Sequence, residues 1–89
     1  VKAPTIHING TDGAELFAQV CAVLGALRAL RKAQDEAQPN GRDYYPQGEG
    51  ALRAATLEHQ ARVDKVRELI GEYQALAEAI VDASLQERS

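Results

Sequence analysis

Two stretches of this 89-residue chain hold side chains whose types and spacing could do chemistry. The first is the decapeptide Pro39-Asn40-Gly41-Arg42-Asp43-Tyr44-Tyr45-Pro46-Gln47-Gly48, which carries two of the four aromatic residues. Tyr rings can stack on a nucleobase, Arg42 can fork a phosphate or carboxylate, and Asn40 or Gln47 can read polar edges. The second is the run from Glu58-His59 to Arg62 on an amphipathic stretch. Arg28, Arg31, Lys32, Arg42, Arg53, His59 and Arg62 would gather at one end of a hairpin, giving an otherwise acidic chain a local field for an anion. The expected ligand-binding set is Arg28, Asn40, Arg42, Tyr44, Tyr45, Gln47, His59 and Arg62. The competing account is structural: the tyrosines clamp over the end of a bundle, Arg42 and Asp43 neutralise each other, and Arg62 snorkels to solvent or pairs with Glu58.

Other chemistries find less support. Cys21 falls mid-helix beside an apolar stripe, where cysteine acts as a small hydrophobe rather than a nucleophile. His7 and His59 lie in different elements and show no metal-ligand spacing such as HExxH. Glu58 with Arg62, and Asp64 with Glu68, are ordinary i,i+4 neighbours on a charged helix face. The glycines form neither a P-loop nor a dinucleotide-binding fingerprint. No catalytic residue, metal site or cofactor is expected, so the chain reads as non-enzymatic.

The elements that must position these groups are helical. Residues 1–10 alternate Ile6, His7 and Ile8 in an extended segment that closes on an Asn9-Gly10 turn signal. Asp12, with Glu15 three residues on, reads as an N-cap and capping box, with Thr11 as the competing cap. The first helix is expected over 12–37, with Leu16, Val20, Val23, Leu27 and Leu30 at heptad-like spacing. Gln38-Pro39-Asn40-Gly41 ends it, and a loop runs over 38–48. A second helix over 49–86 carries Val63, Val66, Leu69, Ile70, Tyr73, Leu76, Ile80 and Val81. Extending its stripe backward puts Arg62, His59, Ala55 and Leu52 on the seam.

The fold class is therefore all-α: one domain, 1–89, forming an antiparallel hairpin with an extended N-terminal segment. A loop centred near Asp43 would place Leu30 opposite the region of Leu57, Leu24 opposite Val63, Val20 opposite Val66 and Leu16 opposite Ile70. The longer second helix would then overhang at its far end, where Ala77, Ile80, Val81 and Leu85 need cover from Ile6 and Ile8 or from another subunit. Sixteen alanines against twenty Leu, Ile, Val and Phe leave little volume for a monomer's core. A homo-oligomeric helical bundle is the expected assembly.

Ten basic against thirteen acidic residues, net charge −3, give no general attraction to DNA, RNA or an anionic membrane. No run reaches the roughly 18 apolar residues of a membrane span, the best being Leu16 to Leu27. No basic-then-apolar leader opens the sequence, and the single cysteine fits a reducing compartment. The expected location is cytoplasmic.

The opening Thr5-Ile6-His7-Ile8-Asn9-Gly10-Thr11, the loop Asn40-Gly41-Arg42-Asp43-Tyr44-Tyr45-Pro46-Gln47-Gly48, and Glu58-His59 with Arg62 resemble a family of small proteins encoded by tailed phages and prophages. The resemblance covers most of the chain, and its distinctive part is the central loop. It implies a phage-encoded accessory protein acting in the bacterial host cytoplasm. The architecture is also similar to that of phage sponges that sequester nucleotide signals of bacterial defence, an analogy of architecture rather than of motif. Three functions follow: a sponge holding a signalling nucleotide or other small anion by mass action, an inhibitor that binds a host protein through the tyrosine loop, and a structural or assembly subunit.

Overall fold

The computed structural model describes residues 1–88, with side-chain exposure for 1–86. The elements run α1 (Gly13–Glu36), α2 (Gly41–Tyr44), a 3-10 turn (Tyr45–Gln47) and α3 (Ala51–Arg88). They form a rod of 63 × 18 × 17 Å. Its radius of gyration is 19.4 Å, against about 12 Å for a compact chain of this length. The all-α expectation holds, with no strand among the described residues.

α1 starts where Asp12 caps it: the Ala14 backbone N–H donates to Asp12 Oδ1 at 3.0 Å, which settles the choice between Thr11 and Asp12. Pro39 stops it at the other end, since a residue before proline is pushed out of the helical region. The loop is more ordered than expected. Asn40 caps a single helical turn, accepting at Oδ1 from the Arg42 N–H, and Pro46 then sits inside the 3-10 turn. Gly48 and Gly50, at φ +95 and +86, take left-handed conformations that turn the chain into α3. That is why the second long helix opens at Ala51 rather than Glu49.

α1 and α3 pack together through Val20, Leu24, Ala77 and Ile80, flanked by half-buried Leu16, Phe17, Ile70, Tyr73 and Leu76. Val63 and Val66 extend the buried stripe toward the loop. The register differs from the expected one by about ten residues. Gly13 lies against Ser84, and Arg31 and Asp35 share a cleft with Thr56, His59, Gln60 and Val63. Leu24 thus belongs with Ala77 and Ile80 rather than with Val63. The expectation treated 38–48 as a symmetric crossover. Instead α2 and the 3-10 turn pack back on the opening turns of α3, with Gly41 close to Leu52, so the overhang of α3 lies at the loop end.

The N-terminal segment covers part of the other end. Val1 and Lys2 lie beside Leu69, Tyr73 and Leu76, and Ala3 to Ile6 beside Ala79, Ala83 and Gln86, so the segment runs parallel to α3. Ile6 is half-buried, whereas Ile8 is 96% exposed. A turn closed by the Gly10 N–H donating to the His7 carbonyl at 3.0 Å carries Ile8 away from the cover it was expected to supply. α1 holds an 18-residue window of mean hydropathy 1.4, long and apolar enough to cross a membrane by length and composition, of which 17% is buried. The expectation that no uninterrupted run reaches about 18 apolar residues stands: Glu15, Gln19 and Arg28 interrupt the stretch, and the alanines and leucines between them carry the average.

Candidate ligand cleft and tyrosine loop

The loop end presents two distinct surfaces rather than one pocket. On the outer surface, α2 and the 3-10 turn carry Arg42, Tyr45 and Gln47 into solvent, with Tyr45 78% exposed. Tyr44 is half-buried, so the adjacent rings have different environments. Asn40 spends its side-chain oxygen on capping α2, which leaves its NH₂ group as the remaining polar edge. Leu52 and Leu57, 40% and 60% exposed, lie on the α3 turns of the same end.

The second surface is a cleft of about 200 Å³ between the last turns of α1 and the early turns of α3, lined by Arg31, Gln38, Pro39, Thr56, His59 and Gln60 among others. His59 is half-buried on the face that continues through Val63 and Val66. Arg31 is held by Asp35, Nη1 to Oδ1 at 2.6 Å, and Gln60 donates from Nε2 to Asp64 at 2.8 Å. A space of this size suits a small anion; pockets that bury a nucleotide-sized ligand run to about 300–1,000 Å³.

Of the eight residues expected to bind, the cleft takes His59 alone. Arg42, Tyr45 and Gln47 cluster on α2 and the 3-10 turn. Arg28 is exposed on α1, away from that cluster in sequence and element. Arg62 is exposed and within 3.6 Å of Glu58, so its expected seam position is corrected: the stripe passes through His59 and Val63, and Arg62 falls one position to its flank. Leu52 likewise sits outside the seam, beyond the end of α1 and close to Gly41 of α2, while Ala55 is half-buried. Gln38, Thr56 and Gln60 were not singled out from the sequence. Thr56, His59 and Gln60 stand at i, i+3 and i+4, the spacing that puts three polar groups on one helix face, and that was the available signal.

A larger groove, about 510 Å³, lies between the N-terminal segment and the last turns of α3. Its charged lining residue is Asp82, which gives an anion nothing to pair with. Among the described residues no three His, Cys, Asp or Glu side chains are grouped to hold a metal ion, and Cys21 is exposed on α1 rather than packed as a core residue. Comparisons with family models, with curated proteins and with solved structures find no match to this chain.

Proposed function

We propose that the chain is a non-enzymatic accessory protein that works by binding a macromolecule, assembled with copies of itself into a helical bundle. The observation that carries this reading is the exposed Tyr45, held on a capped helical corner beside Arg42. An aromatic and an arginine on a rigid projection, with exposed leucines nearby, are the side chains that dominate the energy of protein interfaces. The resemblance of residues 40–48 to phage and prophage proteins supports a host protein as the partner and the bacterial cytoplasm as the setting.

A photoreactive phenylalanine at position 45, introduced in bacteria, tests this directly. A discrete protein crosslink that Arg42→Ala removes while helicity is kept is expected. Crosslinks spread over many abundant proteins, unchanged by Arg42→Ala, would sink the reading.

The cleft favours a second reading, capture of a small anion at Arg31 and His59, with a nucleotide admitted only if a second subunit enlarges the site. Native mass spectrometry before and after exposure to an extract from bacteria with activated nucleotide-based defence separates the two. A discrete small-molecule adduct released intact on denaturation supports sequestration, and an unchanged oligomer mass removes it.

A further inference from the structure

α1 has two seams and α3 covers one of them. Positions 13, 17, 20, 24, 27, 31 and 34 step by four and three residues and face α3, with Gly13, Val20 and Leu24 buried. Leu16, Gln19, Val23, Ala26, Leu30 and Ala33 repeat the same spacing one position to the side. That second row carries no charge over nearly the whole helix. Val23 is 36% and Leu30 48% exposed, Gln19, Ala26 and Ala33 are exposed, and Leu16 is half-buried. The N-terminal segment lies along α3 and leaves this row open.

We propose that the second row of α1 is the surface on which a second copy of the chain packs, antiparallel, α1 against α1. This rests on the self-association proposed above and names its surface and its orientation. Area sets the need. The chain exposes 6636 Å², where a compact protein of its mass exposes about 5,100 Å². The excess is roughly 1,500 Å² per chain, enough for the ~800 Å² each partner buries in a standard interface.

Charge selects the orientation. The half of the rod nearer the loop, residues 28–67, holds eight Lys and Arg against six Asp and Glu. The opposite half, residues 1–27 and 68–86, holds one against six. A parallel pair would set acidic end on acidic end. An antiparallel pair lays the acidic end of each copy on the basic end of the other, which lowers the energy of approach and fixes the register. With the row centred between Val23 and Ala26, Val23 meets Ala26 of the second copy and Leu16 meets its Ala33.

Two measurements on the full chain test this. The first is sedimentation equilibrium on the natural chain, Ala26→Arg, Val23→Arg and the opposite-face control Cys21→Arg, at an exposed position, with helicity followed by circular dichroism. Ala26 is exposed in the single hairpin, so arginine there is tolerated by the fold. Ala26→Arg and Val23→Arg should raise the dissociation constant roughly 30-fold or more, and Cys21→Arg should leave it near that of the natural chain. The second is the spin-label distance between copies of Ala33→Cys in a Cys21→Ala background, which leaves the large residues of the row in place. It should read about 25 Å for an antiparallel pair and near 10 Å for a parallel one. A monomer at tens of micromolar overturns both this interface and the self-association beneath it. An oligomer that survives both arginine variants, or a short label distance, overturns the interface alone.

Discussion

The two ends of the rod use the same hairpin for different purposes. At the end holding the termini, three segments meet: α1, α3 and the N-terminal stretch laid along α3. There Ile80 is 2% exposed and Leu24 6%. At the loop end, polar groups enter the seam: Gln34, Arg31 and His59 occupy positions that carry valine, leucine and alanine further down. Of the apolar side chains there, Val63 and Val66 stay buried, whereas Leu30, Leu57 and Tyr45 are 48%, 60% and 78% exposed. The main core cluster lies where the chain closes on itself, and the exposed aromatic, cationic and amide side chains gather where it does not. A protein of this size needs the first to afford the second, because buried polar groups lower stability unless paired.

Replacing Ile80 by Ala is the strongest way to break this contrast. It removes the most buried large side chain of the core cluster, and a buried aliphatic cut to Ala costs about 2–5 kcal/mol. Leu57→Ala, at a 60% exposed position, should change urea stability by no more than about 0.5 kcal/mol. Equal losses at the two positions would mean that the loop end is as well packed as the other, through a partner that covers Leu57.

Gly13→Val comes next. Gly13 is buried at the first turn of α1, and a Cβ built there meets Ser84 Oγ at once, with Ile6 Cδ1 3.7 Å away. A branched side chain must push apart α1, α3 and the N-terminal segment, for about 1–3 kcal/mol. Ser84→Gly should recover part of that loss in a double-mutant cycle. Additive losses would show that the two positions do not touch and that the register is wrong.

The sequence made the helices legible and the register illegible, for one physical reason. Heptad spacing, the Asp12 cap and the break at Pro39 are local signals, and they place α1 and α3 to within two residues. Register depends on how the intervening residues fold. The Asn40 cap and the positive φ of Gly48 and Gly50 turned an apparent crossover into a helical corner that packs on α3. The candidate site suffered from the same error. Counting from a symmetric loop spread the site over Arg28, Arg62 and the tyrosines, whereas the shifted register puts His59 beside Arg31. Tyr45, for which the sequence favours a clamp over the bundle end, is instead carried into solvent by the 3-10 turn, at 78% exposure, while Tyr44 beside it is half-buried.

Gln34→Leu sharpens the comparison in the opposite direction. Gln34 is half-buried and its Oε1 is buried without a hydrogen-bond partner. In the observed register, position 34 falls opposite Val63, itself 3% exposed. Desolvating an amide oxygen without a partner costs about 1–3 kcal/mol, so leucine should raise the midpoint of urea unfolding by an amount worth about 1 kcal/mol. A loss of stability would show that the amide is paired in solution and that the loop end is better satisfied than its geometry indicates.

The smallest effect on stability, and the sharpest on function, belongs to Asp35→Asn. The Arg31–Asp35 pair is an i,i+4 contact with the carboxylate 55% exposed, and such pairs contribute about 0.5 kcal/mol or less. Thermal unfolding should therefore barely move. Arg31 lines the cleft that holds His59, and neutralising its partner frees one guanidinium for an external anion. If the cleft is an anion site, titration with inorganic phosphate should show affinity rising about tenfold, as one competing charge is removed. If the loop end works through Tyr45 and Arg42 alone, phosphate affinity stays unmeasurable in both forms while the position-45 crosslink is unchanged. One substitution thus separates the cleft from the tyrosine corner, two surfaces that share an end of the rod.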